Sequence, residues 1–282
     1  MTSAPRWRVT LFASLWLATM GARPVAAQSD TIARTPLFTA GDGLFVAGIL
    51  LGARLIHPLD AHYQRRLQDS STQANRKLQV LSKVVRTTAA PGAYIVGGTL
   101  YAAGRLSHNS KMADLGLHGA EALLIGEATA TTMKILVGRA RPYVGTGPND
   151  YGFGRGLSRG DYKSFPSGHA VAAFAAAAAV TSETSRHAPD TRWIVGPIMY
   201  GGAALVGVSR MYNNQHWASD VIVGAGIGTL AGLKVVRYQH SHAGNALDRW
   251  LLAGSIAPVE GGGHALRWSL VPAALLPQRA AR

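Results

Sequence analysis

The sequence predicts an all-α protein, a bundle of six helices. From residue 36 onward, apolar runs of helix length alternate with polar connectors. The runs are rich in Gly and Ala, whose small side chains allow helices to pack closely. The predicted helices cover residues 37–56, 91–106, 115–137, 168–182, 193–208 and 217–236.

The N-terminal segment has the layout of a secretory signal peptide. Arg6 and Arg8 precede the apolar run 9–20, and small residues lead up to Ala27. We expect cleavage after Ala27. An uncleaved membrane anchor is the alternative, which the shortness of the apolar run disfavours.

The sequence predicts three parts: a signal peptide (1–27), a helical domain (28–240) and a C-terminal extension (241–282). Within the extension, residues 250–259 and 264–271 are expected to form two short strands.

Composition limits the classes of partner. The chain has 28 Lys and Arg against 14 Asp and Glu, a net charge of +14, which suits anionic lipids or phosphorylated substrates. The basic residues are scattered and no nucleic-acid-binding motif is present, so nucleic acid is not expected as a partner. No protein partner is predicted. The chain has no cysteine, so packing rather than disulfide bonding must stabilise it.

The hydropathy pattern is compatible with two kinds of bundle. Residues 193–208 carry no charge and residues 44–53 are wholly apolar, but both runs are shorter than the ~20 residues that a membrane span usually needs. The mean hydropathy of the chain is +0.10, and charged residues lie inside or at the ends of the candidate spans: Asp42, Arg54, Glu121 and Glu127. We favour a membrane-embedded bundle, with a soluble bundle as the alternative.

Three short clusters carry the candidate chemistry. They are residues 134–142 (KILVGRARP), 166–169 (PSGH) and 209–220 (SRMYNNQHWASD). The first and third supply three cations, Lys134, Arg141 and Arg210, beside apolar helices. Because a buried charge without a partner is costly, these cations predict an anionic ligand. Arg matches two oxygens of a phosphate and Lys adds a point charge, so the three outline a tetrahedral oxyanion.

The second cluster predicts the start of a helix. Ser167 precedes the alanine-rich run 170–180, so we expect Ser167 to be the N-cap residue. The N–H groups of that first turn, with the Ser167 hydroxyl, suit a phosphate.

Two histidines are the candidate catalytic groups. His216 and Asp220 are four residues apart, which on a helix places them on one face. Asp220 is then expected to accept the N–H of the His216 imidazole, which leaves the other ring nitrogen free as a nucleophile. His169 is expected to protonate the leaving oxygen. The same three side chains are also metal ligands, but three nearby cations would repel a metal ion, so no metal is predicted.

The ordered set of motifs resembles a known family. The spacings are Lys-x6-Arg-Pro, Pro-Ser-Gly-His and Ser-Arg-x5-His-x3-Asp. Each motif alone also occurs as an ordinary helix end, turn or hydrogen-bonded pair. In this order they resemble the type 2 phosphatidic acid phosphatase superfamily, which includes lipid phosphatases, glucose-6-phosphatase, class A bacterial acid phosphatases and vanadium haloperoxidases. The resemblance implies a phosphohistidine on His216, oriented by Asp220, and a phosphate-binding set of Lys134, Arg141, Ser167, Gly168 and Arg210.

The resemblance also implies an activity and a location. It implies a metal-independent phosphatase without a cofactor that hydrolyses a phosphomonoester or pyrophosphate group. The export signal and the apolar helices favour a lipid of the phosphatidic acid, phosphatidylglycerophosphate or undecaprenyl diphosphate type. The alternatives are an exported soluble acid phosphatase, a haloperoxidase that holds vanadate in the same pocket, and a non-catalytic protein that binds phosphorylated lipid. The expected location is the bacterial inner membrane with the site facing the periplasm, and a soluble periplasmic enzyme is the alternative.

Overall fold

The structure, a computed structural model, describes residues 36–242, 254–258 and 264–268. The predicted signal peptide lies outside these residues. The described residues form nine α-helices and one antiparallel pair of strands. The helices are α1 (Ala40–Ile56), α2 (Asp60–Leu67), α3 (Ser70–Ala74), α4 (Arg76–Leu106), α5 (Ser110–Val137), α6 (Arg155–Ser158), α7 (Gly168–His187), α8 (Arg192–Tyr212) and α9 (Ala218–Ser241). The strands are β1 (Gly254–Pro258) and β2 (His264–Trp268), with Gly254 opposite Trp268.

The prediction of six helices accounts for the long elements and leaves out three short ones. The six predicted segments fall within or largely overlap α1, α4, α5, α7, α8 and α9, whereas α2, α3 and α6 lie in stretches predicted as connectors. Helix α4 also begins well before its predicted start. Its N-cap is Asn75, whose side-chain oxygen accepts hydrogen bonds from the backbone N–H groups of Lys77 at 3.0 Å and Leu78 at 3.3 Å. The helix therefore begins at a capped polar turn, N-terminal to the apolar run from which it was predicted.

The core lies where α5, α7 and α9 meet. It consists almost entirely of small side chains, so the helix axes can approach closely. Its buried members come from all three helices: Ala122, Leu123, Ala172, Ala175, Ala179, Ala231, Val235 and Val236.

Three glycines on α9 set the contact between α9 and α7. Gly224, Gly228 and Gly232 follow one another at intervals of one helical turn. A Cβ atom at Gly228 would lie 2.2 Å from the carbonyl oxygen of Val171, and one at Gly224 would lie 2.6 Å from that of Ser167. The backbones therefore touch along this line. This contact holds the first turns of α7 and α9 side by side.

We expect Gly228→Ala to destabilise the protein by about 1–3 kcal/mol, because the added methyl group meets backbone atoms that cannot move aside cheaply. The measurement is the unfolding temperature of the purified protein. Gly202→Ala is the matched control, since a Cβ atom at Gly202 of α8 meets nothing within 4 Å. The control should change stability by no more than about 1 kcal/mol. Equal effects of the two substitutions would contradict the close contact.

Within the part of the chain that the structure describes, three segments could cross a membrane by length and composition: Ala40–Leu67, Pro189–Tyr212 and Ala218–Ser241. The first is only 11% buried within its most apolar window, and apolar side chains such as Leu44 and Leu55 project from it. Two charges inside these segments neutralise each other, because Lys234 of α9 donates a hydrogen bond to the Asp42 carboxylate of α1. Paired charges of this kind are what a bilayer tolerates.

Candidate active site

Four helix ends converge on the candidate site. Lys134 lies in the last turn of α5 and Arg210 in the last turn of α8. Ser167 is the N-cap of α7, and Asp220 lies in the first turn of α9. Ser167 N–H donates a hydrogen bond of 3.1 Å to the Asp220 carbonyl, which joins the two helix starts.

The Pro-Ser-Gly-His segment starts α7 as the sequence predicts. The Ser167 hydroxyl accepts a hydrogen bond from Ala170 N–H at 3.5 Å, the geometry of an N-cap. The next residue has to be small, because a Cβ atom at Gly168 would lie 2.5 Å from Lys134 Nζ and 3.1 Å from a carboxylate oxygen of Glu127. Gly168 therefore lets the Lys134 ammonium reach the N-terminus of α7.

The two site arginines carry buried N–H groups without hydrogen-bond partners among the described residues. These are Nε and Nη1 of Arg210 and Nε of Arg141. Arg210 is 6% exposed. Arg141 is partly held, since its Nη1 donates to the side-chain oxygen of Gln215. Buried guanidinium groups with donors to spare favour an anion at this place.

The positive charges surround His169. Burial, followed by the charge of Arg210, lowers the pKa of the His169 imidazole to about 4. His216, Lys134 and Arg141 act in the same direction. The three cations that the sequence singled out thus all act on His169, and its low pKa favours the neutral imidazole at neutral pH.

His216 is buried and has a defined tautomer. Its Nδ1 donates a hydrogen bond of 2.6 Å to the backbone carbonyl of Ser164, so Nε2 keeps its lone pair. Burial lowers the pKa of His216, which keeps the ring neutral.

The predicted hydrogen bond from His216 to Asp220 is wrong in this structure. The Nδ1 atom lies 3.8 Å from Asp220 Oδ2, an ion-pair distance rather than a hydrogen bond. The prediction assumed that both residues lie on one helix. Helix α9 begins at Ala218, with Trp217 as its N-cap, so His216 precedes the helix and turns towards Ser164 instead.

Asp220 belongs to a buried charge cluster that sequence analysis missed. Its Oδ1 accepts from Arg139 Nη1 at 2.5 Å, and its Oδ2 accepts from the Ser164 hydroxyl at 2.6 Å. Arg139 Nη2 also donates to Asp60 Oδ2 at 2.8 Å. Arg139 is 1% exposed, and Asp220 is fully buried. Asp220 thus acts on His216 by its charge and by holding Ser164, whose carbonyl accepts the hydrogen bond from the imidazole N–H.

The site residues that the sequence did not predict differ in how easily the sequence could have identified them. Arg139 and Ser164 lie in or next to the predicted clusters, so their positions gave a signal. Asp60 lies far away in sequence at the start of α2, and nothing local connects it with the site. In the sequence, Glu127 is only a charged residue in an apolar helix; in the structure it lies next to Gly168 and Lys134.

Comparison with known proteins gives three findings. The family model described as the PAP2 superfamily matches residues 116–243. A lipid A 1-phosphatase from Porphyromonas gingivalis is 42% identical over 85 residues, which make up 29% of this chain and 18% of that protein. The chain thus matches less than a fifth of the length of that relative. A crystal structure described as the first transmembrane PAP2 type phosphatidylglycerolphosphate phosphatase from Bacillus subtilis is similar over 71% of this chain and 98% of that chain, with 19% identity and a TM-score of 0.34.

The family match covers the site residues that the sequence predicts, but not Asp60. All the predicted site residues, from Lys134 to Asp220, lie inside the matched segment. The structural similarity, with its low TM-score, adds no argument of its own. The resemblance predicted from the three motifs is confirmed by the family model of the PAP2 superfamily, which matches residues 116–243 of this chain.

Proposed function

We propose that this chain is a metal-independent lipid phosphatase that hydrolyses a phosphomonoester or pyrophosphate group through a phosphohistidine on His216. The observation that carries the proposal is the pocket of buried cations around two neutral imidazoles. Unpaired N–H groups of Arg141 and Arg210 point to an oxyanion as the ligand. A phosphate group meets this requirement with its several acceptor oxygens.

In this proposal His216 is the nucleophile. Its Nδ1–H is held by the Ser164 carbonyl at 2.6 Å, so Nε2 is the atom that attacks phosphorus. A P–N bond forms while the P–O bond to the leaving group breaks. Water then attacks phosphorus, the P–N bond breaks, and inorganic phosphate leaves. The charges of Lys134, Arg141 and Arg210 and the N-terminus of α7 stabilise the phosphoryl oxygens in both steps.

His169 moves the proton in both steps. With the pKa of the imidazole at about 4 before substrate binds, His169 is unprotonated at neutral pH and has no proton to donate until a phosphate dianion enters the pocket. The negative charge of the substrate offsets the surrounding cations and raises the pKa of His169. A protonated His169 then donates to the leaving oxygen, and the neutral form accepts a proton from water in the second step.

Two observations support a lipid as the substrate. Candidate membrane segments flank the site, because Arg210 lies two residues before the end of one of them and Asp220 two residues after the start of another. The similar protein from Porphyromonas gingivalis is named for a lipid substrate. Phosphatidic acid, phosphatidylglycerophosphate, undecaprenyl diphosphate and a lipid A phosphate all present the required group. We propose a location in the bacterial inner membrane, with the pocket facing the periplasm.

The test is phosphate release by the purified protein in the presence of EDTA. The substrates are diacyl phosphatidic acid, undecaprenyl diphosphate, a lipid A 1-phosphate and a water-soluble aryl phosphate. We expect at least one lipid to exceed the aryl phosphate in kcat/KM by about tenfold or more, because binding of the lipid body contributes to the transition state. Equal or better use of the aryl phosphate would favour a non-specific acid phosphatase. Failure to release phosphate from any substrate would overturn the proposal.

A further inference from the structure

A second polar cluster lies at the other end of the bundle core. It consists of His118 on α5, Glu183 on α7 and His240 on α9. The Glu183 carboxylate accepts a hydrogen bond from His118 Nδ1 and a bifurcated one from His240 Nε2, which lies 2.9 and 3.0 Å from its two oxygens. His118 is 4% exposed and Glu183 is 3% exposed. Each of the three helices thus contributes one side chain to a largely buried hydrogen-bonded cluster.

This cluster is separate from the phosphate pocket. His118 precedes Lys134 on α5 by about 24 Å along the helix axis, at 1.5 Å per residue. Glu183 follows Ser167 on α7 by about the same distance. The proposed phosphatase mechanism uses none of the three residues, so their presence in an apolar core needs its own explanation.

The geometry suits a metal ion. One ligand atom from each side chain, two imidazole nitrogens and a carboxylate oxygen, lie within 4.8 Å of one another. The two imidazole rings meet edge to face, with centroids 5.2 Å apart and planes at 87°. Ligand atoms around a tetrahedral zinc ion are about 3.3 Å apart when the bonds are 2.0–2.1 Å. Small outward movements of the three side chains would therefore admit an ion between them.

The electrostatics of this end also favour a cation. The negative charges of Glu183, Glu121 and Asp114 all act on His118. The surroundings of His118 are therefore acidic. In the phosphate pocket, by contrast, cations surround the histidines. A divalent cation is therefore repelled by the phosphate pocket and attracted to the cluster of His118, Glu183 and His240.

We propose that His118, Glu183 and His240 bind a divalent transition-metal ion, with zinc as the best match, and that this ion ties α5, α7 and α9 together. Two imidazoles and one carboxylate are a common zinc ligand set, and imidazole nitrogen favours zinc over magnesium or calcium. Three protein ligands leave the fourth position to a water molecule. The role is structural, so the metal-independence of phosphate release is unaffected.

The test is zinc binding by the full chain, purified in detergent and stripped with EDTA. Calorimetric titration should give one zinc ion per chain, and zinc should raise the unfolding temperature by about 5–10 °C at a free concentration about a hundredfold above its Kd. Cobalt should give the visible absorption of a four-coordinate site. Affinity should fall as the pH is lowered, because the metal displaces protons from the histidines.

Matched variants separate this site from other histidines. His240→Ala and the nearly isosteric Glu183→Gln should each weaken zinc binding by about tenfold or more and remove the thermal shift. His242→Ala, two residues further along, and His187→Ala on the exposed end of α7 should leave both unchanged. If Glu183→Gln and His240→Ala bind zinc as tightly as the unmodified chain, or if the unmodified chain shows no zinc-dependent shift, the cluster is only a carboxylate hydrogen-bonded by two histidines and the proposal is wrong. Both readouts are independent of phosphatase activity.

Discussion

Replacement of His216 by alanine is expected to lower kcat/KM by about 10⁴-fold or more. The reason is that the reaction then loses the atom that bonds to phosphorus, and the cationic pocket alone can only bind substrate. The measurement is phosphate release from the best lipid substrate. His187→Ala is the control, because His187 is exposed and far along α7. Thermal unfolding of both variants should show that His216→Ala remains folded.

Trapping of the intermediate tests the same residue directly. Rapid quenching of the unmodified protein with a substrate labelled in its phosphate should leave label on the protein that is stable in alkali and lost in acid, as expected for a phosphohistidine. His216→Ala should carry no label. Label that persists in this variant, or activity close to that of the unmodified protein, would show that another group is the nucleophile.

Replacement of Arg139 by alanine is expected to lower the free energy of unfolding by about 3–5 kcal/mol. Arg139 connects two fully buried carboxylates, donating to Asp60 at 2.8 Å and to Asp220 at 2.5 Å. It also donates to the Pro148 carbonyl and lies 5.4 Å from the Trp217 ring centroid. Without the guanidinium, two carboxylates face each other in a dry environment. Chemical unfolding, monitored by tryptophan fluorescence, would measure the loss.

An exposed arginine provides the control for this result. Arg159 pairs with Asp161 at 2.7 Å, but its side chain is 56% exposed. Arg159→Ala should therefore cost at most about 1 kcal/mol. The double variant Asp60→Asn with Arg139→Met should be more stable than Arg139→Ala, because it removes one of the stranded charges. A loss below about 1 kcal/mol for Arg139→Ala would mean that water already reaches the cluster, contrary to its burial.

The local features of this chain were predictable from its residues. Apolar runs placed the six long helices, and the alanine-rich run placed Ser167 at the N-cap of α7, because capping depends on neighbours three residues away. Charge and residue type identified Lys134, Arg141 and Arg210 as a group. Where a polar sequence continued a helix, as at the start of α4, hydropathy gave the wrong boundary because a cap rather than an apolar face starts that helix.

The sequence alone therefore identified the side chains of the candidate site, and the structure places Lys134, Ser167 and Arg210 at helix ends. Only the tertiary structure showed which residues form hydrogen bonds and ion pairs with these side chains. The Ser164 carbonyl rather than the Asp220 carboxylate accepts the hydrogen bond from His216, because α9 starts at Ala218, two residues after His216. Arg139 joins Asp220 to the distant Asp60 through packing that no local spacing encodes. The cluster of His118, Glu183 and His240 likewise depends on packing, because its side chains come from three helices that are held together by glycine and alanine contacts.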